Sequence, residues 1–140
     1  MITQQNRKKA RDSVYKLIYE FLFSGRTPNS RTLSIITSVD IAEEDKDYIN
    51  AVYFGVIENY DELIDIIAGF SNGFNIDRIY KLDLAALLLA TYEMKYMDDI
   101  PLSVSISEAV ELVKTYSTEK SNSFVNGILS SVYKSLTNEW

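Results

Sequence analysis

Arg7, Lys8, Lys9, Arg11 and Lys16 stand together near the start of the chain, opposed among the first 16 residues by Asp12 alone. That segment sums to +4 and the other 124 residues to -10, for a net charge of -6 over 140 residues. Cations gathered on an otherwise acidic protein are the pattern of an arm that engages nucleic-acid phosphates. A solvated helix start has the same pattern, so charge alone does not choose between the two. The acids are gathered as well: nine fall between Asp40 and Asp65 against Lys46 alone. An anionic face of that kind repels RNA and attracts a basic partner.

Most catalytic chemistry is closed to this composition. With no His and no Cys, a His-based triad, a Cys nucleophile, a disulfide and a nitrogen/sulfur zinc site are excluded. A carboxylate-only Mg²⁺ or Ca²⁺ site survives that filter. Glu43, Glu44, Asp45 and Asp47 lack EF-hand spacing, however, and Asp98-Asp99 is an isolated pair. The five glycines are scattered and form no phosphate loop. These acids read as a charged helix surface, and the expectation is a protein that is not an enzyme and needs no cofactor or metal. No apolar run approaches the ~20 residues of a membrane span. The polar N-terminus has no signal-type apolar stretch before Val14, so a cytoplasmic location is expected.

A second candidate site is Glu119-Lys120-Ser121-Asn122-Ser123, which opens the last helical segment. Free backbone N–H groups, hydroxyls and Lys120 are suited to a phosphate, and equally to ordinary N-terminal capping. Asn126-Gly127 follows inside the same helix. A mid-helix glycine costs roughly 1 kcal/mol against Ala, which points to a neighbouring backbone pressed close to Gly127. Asn126 is expected to bond a neighbouring element.

The segments that must hold these residues have helical period almost throughout. Ala10, Val14, Leu17, Ile18, Phe21 and Leu22 share one face of a helix over about residues 6–23, closed by Gly25 and Pro28. A short second helix carries Leu33, Ile35, Ile36 and Val39, with Asn29 or Ser30 as N-cap. Residues 43–70 read as one long helix or two in succession, with a bend at Asn59. Ser71 to Asn75 is a turn cluster and the expected boundary between two halves, about 1–72 and 73–140, of a single domain. Ile76 to Tyr80 suggest one short turn of helix. Leu82 to Met97 is apolar nearly all round, as in a helix buried on several sides. Ser105 and Glu108 have capping-box spacing for the next helix. Thr115 to Ser117 break the chain before a last helix over about residues 119–136. The fold class is all-α with about seven helices, and short links favour antiparallel neighbours in helical bundles.

From Ile100-Pro101 through VSISEAVELVKTY (Val104 to Tyr116) and EKSNSFVNGIL (Glu119 to Leu129), the chain resembles the NusB family of transcription antitermination factors. RKKARDSVYKLIYE (Arg7 to Glu20) is similar to the family's basic first helix. Gly55-Val56 and Tyr92-Glu93 fall where the family has its GV and YE pairs. The resemblance spans about residues 7 to 136. It implies two packed three-helix-type bundles and no enzymatic activity. It also implies binding to boxA-like single-stranded leader RNA jointly with NusE, a small-subunit ribosomal protein. That complex acts on RNA polymerase to promote full-length ribosomal RNA transcription. Some members form homodimers that hide the RNA surface. The resemblance further places Phe124 near the RNA surface and Asp83 at the partner interface.

Four positions depart from the family pattern. Leu88 stands in place of an Arg in the buried helix, and Leu84 in place of a basic or polar residue. Ser107 replaces the Asn of INEA, and Ser123 the Lys before FVNG. These departures motivate an alternative, a NusB-like protein-binding scaffold that has lost RNA binding. In the RNA-binding reading, Arg7, Lys8, Lys9, Arg11 and Lys16 meet phosphates. Lys120 and Ser121 add contacts, and Tyr15 or Tyr19, which share one face of the first helix, stacks a base. Core packing is the competing role for both tyrosines and for Phe124.

Overall fold

The computed structural model describes residues 4–38, 40–73 and 75–137. Val39 and Phe74, assigned above to the second helix and the turn cluster, lie outside the described residues. Helix α1 (Gln4–Phe23) buries the stripe from Ala10 to Leu22. It ends where Gly25 and Arg26 take positive φ of 70° and 67°, a conformation that stops helix growth. The Asn29 side chain then accepts a hydrogen bond from the Thr32 N–H and caps α2 (Ser30–Ser38).

Three acids in the first turn of α3 (Glu43–Glu58) meet the positive end of its dipole. At Asn59 the side-chain amide donates back to the Gly55 carbonyl, φ moves to -107°, and α4 (Tyr60–Gly69) begins as a separate helix. After the turn and a single 3₁₀ turn (Ile76–Arg78) comes α5 (Lys81–Tyr96). It packs against α1, α3, α4, α6 and α7, which is why it is apolar nearly all round. Helices α6 (Leu102–Tyr116) and α7 (Ser121–Thr137) complete an all-α fold with seven α-helices among the described residues. No described helix is long and apolar enough to cross a membrane.

The expected capping box at Ser105 and Glu108 is not formed. Pro101 is the residue that opens α6, so Ser105 is already inside the helix. Its hydroxyl donates instead to the Glu93 carboxylate of α5, 2.8 Å away.

Candidate nucleic-acid interface

The basic first helix is largely neutralised by the protein's own acids. Arg11 is 5% exposed; its Nε donates to Glu93 Oε2 at 2.8 Å and its Nη1 lies 3.6 Å from Glu108. Glu93 is itself buried and also accepts from the hydroxyls of Ser105 and Tyr48. Burial works against the Arg11 charge, but Glu93, Tyr48 and Glu108 outweigh it and raise the guanidinium pKa. Burial and the Glu93 charge together hold the Tyr48 phenol neutral, well above its usual range. Arg7 lies 4.2 Å over the Tyr48 ring and 3.5 Å from Asp45. Lys8 reaches Glu108 and Lys16 reaches Asp12, each at 2.8 Å. Lys9 is exposed and, among the described residues, unpaired. Arg11 is therefore an internal strut joining α1 to α5 and α6, not a surface cation.

Tyr15 is also corrected by its surroundings. It is buried, donates from its hydroxyl to the Leu82 carbonyl at 2.8 Å, and stacks on Tyr116 with ring centroids 5.6 Å apart. No base can reach that ring. Tyr19 remains half-exposed beside Phe23, 5.0 Å between centroids. These two rings open a hollow of about 550 Å³ whose other walls include Arg78, Tyr80, Lys81 and Tyr116. Across Tyr80 lies a second hollow of about 250 Å³, walled by Arg78, Tyr80, Lys120 and Phe124. Arg78, Ile79, Tyr80 and Thr118 line both, so the two are adjoining hollows of one groove with a shared wall. Phe23 and Tyr80 are 64% and 63% exposed, and Lys81 sits 5.5 Å over the Phe23 ring. Exposed rings interleaved with Arg78, Lys81 and Lys120 are what single-stranded nucleic acid needs: flat faces for bases and cations for phosphates.

The groove assembles from α1, the link before α5, and the turn between α6 and α7. Sequence reasoning does not single out Phe23, Arg78, Tyr80, Lys81 and Tyr116, because they come from separate segments. The local signal for them is Arg78-Ile79-Tyr80-Lys81, two cations around an aromatic ring in a link just before the most buried helix.

Ser121 is buried and does not face the groove as a free phosphate ligand. Its hydroxyl donates to Asp83 Oδ2 at 2.9 Å, and Ser121 and Thr118 exchange backbone-to-hydroxyl bonds at 3.3 Å, which caps α7. Capping thus prevails there over anion binding. Asp83 is 3% exposed, with Ser117 Oγ at 2.6 Å on its other oxygen, so it offers no surface to a partner protein. Gly127 also differs from expectation: it is exposed, and nothing lies within 4 Å of where its Cβ would be. Asn126 is exposed. The close helix approach is instead at Gly55, where an added Cβ would overlap the Tyr92 ring. The described residues contain no cluster of acids able to hold a metal ion.

The NusB family model matches residues 8–134 of the chain. The chain belongs to the NusB family. It is accordingly a transcription antitermination protein and not an enzyme. It is 44% identical over 128 residues to the transcription antitermination protein NusB of Acetivibrio thermocellus, covering 91% of this chain and 88% of that one. The solved NusB of T. maritima superposes with a TM-score of 0.83 at 31% identity, over 96% of this chain and 93% of the other. A second structure, of antitermination factors NusB and NusE in complex with double-stranded RNA, matches with a TM-score of 0.83 at 26% identity. It covers 95% of this chain and 99% of that one.

Two NusB-family pairs acquire physical reasons from the geometry. Gly55 of the GV pair leaves room for Tyr92 of the YE pair, and Glu93 of that same pair receives Arg11 of the first-helix motif. The departures at Leu84 and Leu88 are buried and apolar within α5, while Ser107 and Ser123 are exposed.

Proposed function

We propose that this NusB-family protein binds boxA-like single-stranded RNA in the groove around Tyr80, jointly with NusE. It thereby supports antitermination by RNA polymerase, notably in ribosomal RNA operons, in the cytoplasm. The observation that carries this reading is the aromatic and cationic lining of that groove, Tyr19, Phe23, Tyr80 and Phe124 with Arg78, Lys81 and Lys120. Lys9, exposed on α1 away from the groove lining, is a further cation available to phosphate. The relative solved with NusE and double-stranded RNA supports NusE and RNA as partner classes. A homodimer that covers this groove is the resting state the reading allows.

The test is a titration of the protein against a boxA-like RNA and a scrambled RNA of equal length. Preference for the boxA-like strand supports the proposal; equal or absent binding to both overturns it. The protein-only scaffold has one observation in its favour: Arg7, Lys8, Arg11 and Lys16 are each paired with a carboxylate. Binding of NusE with no detectable RNA affinity at low salt would establish that alternative.

A further inference from the structure

Resting on the RNA reading above, we infer that Asp83 is a positioning residue that sets the shape of the groove, through a carboxylate–hydroxyl clamp on the α6–α7 turn. Asp83 lies in the first turn of α5, and its two oxygens take the hydroxyls of Ser117 and Ser121 at 2.6 and 2.9 Å. Ser121 Oγ is in turn 2.9 Å from Thr118 Oγ1 and from Ser117 Oγ. One buried carboxylate therefore gathers every hydroxyl of the turn. That turn is short, running from the end of α6 at Tyr116 to the start of α7 at Ser121.

The clamp stands between the groove's two hollows. Ser117 and Thr118 wall the larger one and Thr118, Ser121 and Asp83 the smaller. Residues on either side of the clamped segment carry the aromatic faces. Tyr116 precedes it and is braced by Tyr15 and by a hydrogen bond to Asp12 at 2.5 Å. Lys120 lies within it and Phe124 follows it. The opposite wall, Arg78 to Lys81, leads directly into the helix that carries Asp83. Both walls are thus tied to one side chain, and their separation is fixed by its hydrogen bonds to Ser117 and Ser121. Charged acceptors make shorter and stronger hydrogen bonds than neutral ones, so a carboxylate suits this task better than an amide.

A bare anion beside an RNA groove would have the opposite effect, because it repels phosphate. The two roles therefore differ in sign. The experiment compares the wild type with Asp83→Ala and with the double variant Ser117→Ala/Ser121→Ala, which keeps every charge. Circular dichroism establishes the temperature below which each is folded. The probe is a boxA-like RNA carrying 2-aminopurine, whose quenching reports stacking on the groove's rings. In the folded state both variants are expected to bind about tenfold more weakly, the loss of one base stack. Quenching should fall, and the dependence on salt should be unchanged because no cation is removed. Asp83→Asn keeps an acceptor for one hydroxyl and should recover part of the affinity. Wild-type affinity and quenching in the folded variants, or tighter binding by Asp83→Ala, overturn the clamp alone. If Asp83→Ala does not fold, the double serine variant decides. A wild type that binds no RNA overturns the RNA reading and the clamp with it.

Discussion

Arg11 and Lys9 are two residues apart on α1, and their surroundings give them opposite roles. Removing the Arg11 guanidinium strands the buried carboxylate of Glu93, so Arg11→Ala should destabilise the fold by about 3–5 kcal/mol, measured by urea unfolding. Stability within about 0.5 kcal/mol of the parent, the range of an ordinary surface substitution, would show that the strut is dispensable. The groove cations have no such internal duty. Replacing Arg78, Lys81 and Lys120 by Ala should leave the melting temperature near the parent's. It should also flatten the log–log salt slope of RNA binding by about 0.7 for each phosphate no longer neutralised. An unchanged slope would remove them from the interface. The tyrosines supply a third expectation. Burial holds Tyr48, Tyr15 and Tyr53 neutral, with pKa raised above the usual value. A phenol whose folded pKa is raised contributes stability that is complete below its unfolded pKa of about 10 and is lost as pH rises beyond it. Tyrosinate absorbance above that pH should therefore appear together with loss of helix for these rings. Early, fully reversible titration of all ten tyrosines with the helices intact would contradict it.

Two mid-helix glycines give opposite expectations at the level of helix packing. Gly127→Ala meets open space on α7 and should stabilise the protein by about 1 kcal/mol through helix propensity. Gly55→Ala gains the same propensity but drives a methyl into the Tyr92 ring, an overpacking cost of about 1–3 kcal/mol. In a Tyr92→Ala background the same change at Gly55 should become stabilising; thermal melts of the four proteins check the reversal of sign. From sequence the two glycines are indistinguishable, because a period of 3.6 locates a face but not what stands opposite it. The break at Asn59 is legible, since an Asn between two apolar stripes has a side chain able to bond its own backbone. The cap of α6 is not. Ser105 and Glu108 have the right spacing, but the same pattern arises in a helix interior when the serine faces a buried acid from another helix. The capping exchange sits instead at Thr118 and Ser121, where the acid partner, Asp83, is far away in sequence.

Across the whole molecule, charge is sorted by face. Glu43, Glu44, Asp47, Glu58, Asp61, Glu62 and Asp65 are exposed on α3 and α4, whereas in the groove Arg78, Lys81 and Lys120 outnumber the exposed Asp77 and the buried Asp83. The acidic asymmetry is plain in the sequence. The groove is only partly so, because Tyr19, Lys120 and Phe124 are completed by Phe23 and Tyr80 from other segments. Several cations of the first helix look free in the sequence, whereas folding pairs them with Asp45, Asp12, Glu93 and Glu108. A body of net charge -6 with few unpaired cations is expected to hold RNA weakly by itself. A basic partner on the acidic face offsets the repulsion and brings phosphate contacts of its own. The central claim, RNA and NusE bound jointly, is therefore a claim about linkage. It is tested most directly by paired titrations: boxA-like RNA with and without NusE, and NusE with and without that RNA. Joint binding predicts that NusE tightens RNA binding by about 5–150-fold and that RNA tightens NusE binding by the same factor. NusE that binds while RNA affinity stays unchanged would contradict the account.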